Sequence, residues 1–294
     1  MIPYVREIAF DYGVTQQVSP LIRRVIADNP GPFTYTGTGT YIVGRGEVCV
    51  VDPGPDLPEH LAAILAAVEG ERVAAIAITH HHTDHSPLAG PLKAATGAPI
   101  YGCAVVGHES VDTGEVPMEA GHDHDFRPDV SLCAGGRIAG PGWTLEAIPT
   151  PGHTSNHLCY GLMDENACFT GDHIMGWSTT VITPPDGDMG DYLASLEVIR
   201  RHDFQTLWPT HGPPIRDPGP FIDAYLEHRR ERLDQITTAL AAGPARIAEL
   251  VPRLYADVDS RLWPAAARSM QAGVLYLEGQ GLIAADANGA YRLV

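Results

Sequence analysis

The sequence has little positive charge. Lys93 is its only lysine, and 19 Lys plus Arg stand against 36 Asp plus Glu, for a formal charge of −17 over 294 residues. Proteins that bind nucleic acid usually present an excess of Lys and Arg to the phosphate backbone. The charge balance therefore disfavours nucleic acid as a partner.

Long apolar runs and cysteine motifs are also missing. No stretch approaches the roughly 18 uninterrupted apolar residues of a membrane-spanning helix, so we expect no membrane association. Residues 1–7 are charged early and lack the apolar run of a signal peptide. The five cysteines have no CxxC spacing, and we expect small buried thiols without a disulfide framework. These features predict a cytoplasmic protein.

The remaining composition is that of a folded α/β protein. Hydrophobic residues make up 44% and charged residues 19% of the chain, which is enough for a core. β-Branched runs at 40–44 and 47–51 predict a hairpin, 57–68 a helix, and 73–79 a buried strand. This alternation predicts a layered α/β fold. Residues 107–142 are rich in Gly, Pro, Asp and His and predict a long loop or lid with short strands.

The composition changes after residues 216–220. A long charged helix is predicted for 221–242, followed by helices at 245–255 and 264–279 and a hairpin around Asn288. Two helices and a small β hairpin resemble a winged-helix module. We therefore predict a catalytic domain at 1–217, and a linker helix with a winged-helix-like domain at 218–294.

A histidine-rich motif follows the buried strand. His80, His82 and Asp84 project to one side because side chains alternate along an extended chain. A turn into a helix would bring His85 back toward the same pocket, whereas His81 falls on the opposite parity. Four metal ligands within six residues are hard to explain by chance, so the motif predicts a metal site.

Three further candidates stand beside glycines after predicted strands: His153, Asp172 and His211. Glycine allows the tight turns and close backbone approach that a site needs. Imidazole and carboxylate ligands without a thiolate suit Zn²⁺, with Fe or Mn as substitutes.

The motifs THxHxDH, GHT, GD and THG, with VDPG upstream, together resemble the metallo-beta-lactamase superfamily over about residues 20–215. The resemblance implies a four-layer αββα sandwich with two metals at one edge between its sheets. Two metals activate a bridging water to hydroxide, with its pKa lowered toward about 7. The resemblance implies that Asp84 and Asp172 are essential for catalysis and that Asp172 bridges the two metals. It also implies that Asp52 supports the loop that carries the histidine ligands. It assigns His80, His82 and His153 to the first metal, and Asp84, His85 and His211 to the second.

Further resemblances reduce the number of possible substrate classes. Lactamases of the superfamily usually carry Cys or a small residue at the position of Asp172. The aspartate therefore indicates a closer resemblance to the glyoxalase and ribonuclease Z members than to the lactamases. The C-terminal module and residues 176–180 resemble the beta-lactamase-like protein 2 family, which includes single-strand endoribonucleases; related chains are thioesterases. Residues 245–294 carry five Arg and five acidic residues, so the module lacks a basic surface. We predict hydrolysis of a small ester, thioester or lactone, rank RNA cleavage second, and place beta-lactamase and glyoxalase II-type activity lower.

Residues outside the ligand set are assigned to the substrate pocket. Trp177, Ser178 and Thr179 follow the bridging aspartate and are expected to line it, with core packing as the alternative for Trp177. His122 and His124 are expected on a lid over the metals, with a solvated loop as the alternative. Homodimer formation is left open.

Overall fold

A computed structural model describes residues 1–104, 121–256, 259–260 and 263–294. The first sheet has seven strands in chain order: β1 (Gln16–Gln17), β2 (Ile22–Ile26), β3 (Gly39–Arg45), β4 (Glu47–Val51), β5 (Arg72–Ala77), β6 (Ile100–Gly102) and β7 (Val130–Ser131). Strands β1 to β4 pair antiparallel, and β4 to β7 pair parallel. The hairpin expected at 40–51 is β3–β4.

The second sheet has five strands: β8 (Gly136–Gly140), β9 (Trp143–Pro149), β10 (Leu158–Leu162), β11 (Ala167–Gly171) and β12 (Thr206–Pro209). Strands that are consecutive in the chain are neighbours in this sheet, and β11–β12 is the parallel pair. Strands β9, β11 and β12 run in the same direction, because β10 is antiparallel to both β9 and β11. The carboxyl ends of these three strands therefore lie at one edge.

The helices are α1 (Pro58–Ala67), α2 (Ala89–Thr96), α3 (Met189–His202), α4 (Pro218–Ala241), α5 (Ile247–Leu254) and α6 (Trp263–Gly279), and the last hairpin is β13 (Ile283–Ala285) with β14 (Tyr291–Leu293). Each predicted helix is present, with ends shifted by a few residues. Gly97 ends α2 in the left-handed region at φ 75°, as glycine does at helix ends. Within the described residues, no helix is long and apolar enough to cross a membrane.

Three apolar clusters separate four layers. Tyr41, Val51, Tyr160 and Phe169 belong to the cluster between the two sheets. A second cluster joins the first sheet to α1 and α2, and a third joins the second sheet to α3 and α4. Each fully buried large apolar side chain contributes about 1.5–3 kcal/mol, so these clusters fix the order of the layers. The αββα sandwich that the family resemblance implied is confirmed.

The C-terminal elements form a fourth apolar cluster with the second half of α4. Leu240 of α4, Leu250 of α5 and Val274 of α6 belong to it. Tyr276 packs against both this cluster and the one beside α3, so the C-terminal domain rests on the catalytic domain. The helix expected as a linker begins at Pro218; the domain boundary after residue 217 stays a prediction.

The expectation that no cysteine forms a disulfide was wrong. Cys103 and Cys133 are bonded, with their Cα atoms 4.7 Å apart. They follow the parallel neighbours β6 and β7, a pairing that a separation of 30 residues does not reveal. Cys49, Cys159 and Cys168 are the buried free thiols that the sequence predicts.

The predicted loop at 107–142 falls partly outside the described residues, since residues 105–120 are not among them. Its described part contains the strands β7 and β8. The short strands expected in this segment are therefore present, one of two residues and one of five.

Candidate metal centre

The candidate ligands follow the carboxyl ends of four strands. His80, His82, Asp84 and His85 come after β5, His153 after β9, Asp172 after β11 and His211 after β12. The sandwich brings these ends to one edge between its sheets. All seven side chains are at least nine-tenths buried, so the sequence-predicted ligands form one enclosed cluster.

The first group of ligand atoms consists of three imidazole nitrogens. His82 Nδ1 lies 2.9 Å from His80 Nε2 and 3.2 Å from His153 Nε2. Ligand nitrogens at about 2.0–2.1 Å from a tetrahedral zinc lie about 3.3 Å apart. The spacing of these nitrogens therefore fits one such ion.

The second group lies on the other side of Asp172. His211 Nε2 is 3.1 Å from Asp84 Oδ2 and 3.4 Å from Asp172 Oδ1, and His85 Nε2 is 3.6 Å from Asp172 Oδ1. The other oxygen, Asp172 Oδ2, is 3.9 Å from His153 Nε2 in the first group. The two carboxylate oxygens of Asp172 thus face different groups, which is the arrangement of a bridging ligand.

Several atoms in the second group are buried without a hydrogen bond within the described part of the chain: Asp84 Oδ1, His85 Nε2, Asp172 Oδ1 and His211 Nε2. A buried polar atom without a partner costs about 1–3 kcal/mol, and more when charged. One cation placed among these atoms would satisfy them together. The donor set therefore fits a metal ion on chemical grounds as well as on spacing.

Hydrogen bonds behind the imidazoles fix which nitrogen carries the lone pair. His153 Nδ1 is 2.7 Å from Val181 O, and His211 Nδ1 is 3.3 Å from Gly37 O. A carbonyl oxygen only accepts, so each Nδ1 carries the proton and each Nε2 keeps its lone pair. This is the support that metal-binding histidines usually have.

Asp52 holds three segments of the site together. Its carboxylate accepts hydrogen bonds from Thr79 N and Thr79 Oγ1, both at 2.8 Å, and from Thr210 Oγ1 at 2.8 Å. It also lies 2.9 Å from His85 Nδ1, which must then carry a proton. Since the Thr79 hydroxyl donates to Asp52, it accepts from His80 Nδ1 at 3.0 Å. Asp52 is therefore a buried carboxylate with both oxygens hydrogen-bonded, next to the predicted ligands.

The pKa values of the histidines shift in opposite directions in the two groups. Burial lowers the pKa of His80 and of His82 well below the ordinary value, and neighbouring imidazoles add to this effect. Burial also opposes protonation of His85, but Asp84 and Asp172 outweigh it and raise its pKa well above the ordinary value. Thus His80 and His82 are neutral at pH 7, while the carboxylates attract positive charge to the second group.

A cleft opens over the ligands. Its remaining wall is mainly apolar and consists of Pro32, Phe33, Met175, Trp177, Ser178, Thr179 and Val181. Trp177 also stacks on Tyr35, with ring centroids 4.8 Å apart, so it both packs and lines the cleft. His122 does not line the cleft. It lies against His81, and its ring centroid is 5.0 Å from that of His82 and 5.9 Å from that of His124.

Some contributors to the site were not singled out from sequence. Thr79 and Thr210 directly precede ligands, and that adjacency is a signal that the motifs contained. Phe33 and Val181 carry no such signal, because only the folded chain brings them to the cleft.

Comparisons with known proteins agree with this architecture. The family model described as the metallo-beta-lactamase superfamily matches residues 35–211, and that of the beta-lactamase associated winged helix domain matches 247–290. The fold is similar to that of a beta-lactamase domain protein from Burkholderia ambifaria, with a TM-score of 0.76 and 18% identity over 98% of this chain and 96% of the other.

Two curated relatives are similar in sequence. A beta-lactamase-like protein 2 homolog of Caenorhabditis elegans is 33% identical over 76% of this chain and 72% of its own length. An atrochrysone carboxyl ACP thioesterase of Aspergillus chevalieri is 30% identical over 94% of this chain and 87% of its own length. With a family model that matches over half of its length, this chain belongs to the metallo-beta-lactamase superfamily of metal-dependent hydrolases and carries the associated winged-helix domain.

Proposed function

We propose that the protein is a binuclear zinc hydrolase that cleaves a small carboxyl derivative: an ester, a thioester or a lactone. The observation that carries the proposal is the position of Asp172, whose two oxygens face two separate ligand groups at the base of the cleft. When bound, two cations supply a Lewis acid and a nucleophile available at neutral pH.

The chain's own residues hold and orient the reacting groups. Asp52 keeps His85 in the tautomer that presents Nε2 to the cluster, and Val181 does the same for His153. The apolar wall around Phe33 and Trp177 excludes water from one side of the cleft, where it would bind the acyl part of a substrate.

The lining of the cleft favours a carboxyl substrate over RNA. Among the described lining residues there is no Lys or Arg, whereas binding an RNA backbone normally requires several. The relative from Aspergillus chevalieri is named as a thioesterase, and a thioester is a carboxyl derivative. A thioester is therefore the first substrate to examine.

The winged-helix domain is proposed as a pocket wall. A second cavity beside Thr179 is lined by Arg229 and Arg232 of α4 and by Met270 of α6. The charged residues of α6 are Arg268 and Glu278, so their charges cancel and this helix lacks the excess of basic residues that a DNA-recognition helix carries. An extended substrate could reach this cavity from the cleft, because Thr179 lines both.

A cytoplasmic location stays a proposal. Three free buried thiols fit the cytoplasm, whereas a disulfide such as Cys103–Cys133 is rare there.

An activity panel tests the proposed function. The zinc-loaded protein is assayed on an aryl ester, an acyl thioester, a lactone, a lactam and single-stranded RNA, before and after chelation. We expect the highest kcat/KM on an ester, thioester or lactone, loss of turnover on chelation, and recovery when Zn²⁺ is returned. Asp84→Ala, prepared in parallel, is expected to lose turnover, because Asp84 is one of the proposed ligands.

Salt-sensitive RNA cleavage that outpaces every carboxyl substrate would overturn the proposed substrate class. Turnover that survives chelation in wild type, or that persists in Asp84→Ala, would contradict the metal-dependent mechanism.

A further inference from the structure

We infer a third divalent-cation site, formed by His81, His122 and Asp186, beside the seven residues of the binuclear centre. One ligand atom from each of these residues lies within 4.8 Å of the other two. Two imidazoles and one carboxylate, with water completing the shell, suit Zn²⁺ or Co²⁺. Neither the motifs nor the binuclear chemistry uses these three side chains together.

His81 is held with a free lone pair directed at the site. Asn156 Nδ2 donates to Cys103 O at 2.8 Å, which fixes the amide so that Oδ1 is the atom near His81. His81 Nδ1 lies 2.9 Å from that oxygen and must carry the proton. His81 Nε2 is therefore the acceptor, in the same arrangement as the supported histidines of the binuclear centre.

The position of His122 is fixed by its backbone. Thr83 N donates to Gly121 O, and Asp123 N donates to His81 O, both at 2.7 Å. This short bridge places His122 Nδ1 2.7 Å from His81 Nε2. Without an ion, the distance is that of a hydrogen bond from His122 to His81. A bound cation takes the place of the shared proton, which moves to the other nitrogen of His122 or to solvent, and the two nitrogens separate by about 0.5 Å.

Asp186 supplies the negative charge from a third segment, the loop before α3. Its Oδ1 accepts a hydrogen bond from Ser155 N at 3.2 Å. His122 and Asp186 are partly exposed while His81 is buried, so an ion can enter from solvent. Occupancy would tie the segment after β5 to this loop, at the rim of the cleft and close to the ring of His82, 5.0 Å from that of His122.

The site is tested by counting bound zinc in the full chain. Wild type, His81→Gln and Asp186→Asn are saturated with Zn²⁺, dialysed and analysed for metal per chain. The control is His202→Gln, which removes an exposed histidine that belongs to none of the candidate metal groups. We expect each site variant to hold one ion fewer than wild type and the control to hold the same number. Asp186→Asn keeps the shape of a partly exposed side chain, so its result does not depend on refolding around a buried His81.

The difference in ion count is independent of the occupancy of the binuclear centre, so this inference can fail while the proposed function stands. Equal metal content in wild type and both site variants would overturn it. A loss of the extra ion in His202→Gln would overturn it as well, since that ion would be adventitious.

Discussion

Asp172→Asn is expected to lower kcat/KM by about 10³-fold or more, equivalent to about 4 kcal/mol of lost transition-state stabilisation. The substitution keeps the shape of the side chain but removes the charge that faces His153 on one side and His85 and His211 on the other. Burial alone would raise the pKa of this carboxyl, but the surrounding histidines outweigh it and keep the group ionised. The measurement is steady-state kinetics on the best substrate of the panel, together with metal content.

The matched control is Asp223→Asn, which removes an exposed carboxylate paired with Arg200. It should change kcat/KM by less than about twofold, because Asp223 lies outside the ligand groups and the loss of an exposed ion pair, about 0.2–1 kcal/mol, affects stability. If Asp172→Asn retains a tenth or more of wild-type activity, Asp172 does not bridge the two groups.

Asp52→Ala is expected to destabilise the fold by about 3–5 kcal/mol, because it breaks a fully buried charged network. The substitution leaves Thr79 N, Thr79 Oγ1 and Thr210 Oγ1 without their acceptor. It also releases His85, whose ring is fixed by the same carboxylate. The measurement is the free energy of unfolding in urea, with activity recorded on the folded fraction.

The matched variant is Asp52→Asn. Asp52 has a positive φ of 47°, a conformation that Asn also tolerates and Ala resists. Asn keeps one acceptor oxygen, so the expected loss of stability is about half that of Asp52→Ala. An unfolding free energy within about 1 kcal/mol of wild type for Asp52→Ala would show that the network does not hold the site together.

Asp52 and Asp172 are examples of site residues that could be predicted from the sequence. Their spacing from glycine and proline marked them within recognisable motifs, and alternation along the chain placed His80, His82 and Asp84 on one side. The approach of His153 depends on Gly152, which has φ 133° and where a Cβ would overlap the backbone of Tyr192. Such a contact between distant segments leaves a glycine in the sequence but does not name its neighbour.

The fold was predictable where the apolar pattern is strong. The apolar patterns of β4, β5 and the long helix α4 are continuous enough to show the type of each element. Strands β1 and β7 have only two residues each, too few for a period to appear. The Cys103–Cys133 bond escaped prediction for the same reason, because it depends on the pairing of β6 with β7.

The contacts around His81 were beyond the reach of sequence altogether. Its parity indicated that it points away from the binuclear ligands, but not what it meets there. Asn156 and Asp186 are separated from it by 75 and 105 residues in sequence, and only the packing of the two sheets brings them together. Local patterns predict which residues carry chemistry more readily than which residues orient them.

The proposed binuclear centre is tested most directly by anomalous diffraction at the zinc edge from crystals of the zinc-loaded protein. The structure predicts two strong peaks about 3.5–4 Å apart on either side of Asp172, one among His80, His82 and His153 and one among Asp84, His85 and His211. A single peak within this cluster, or none, at saturating zinc would contradict a binuclear centre.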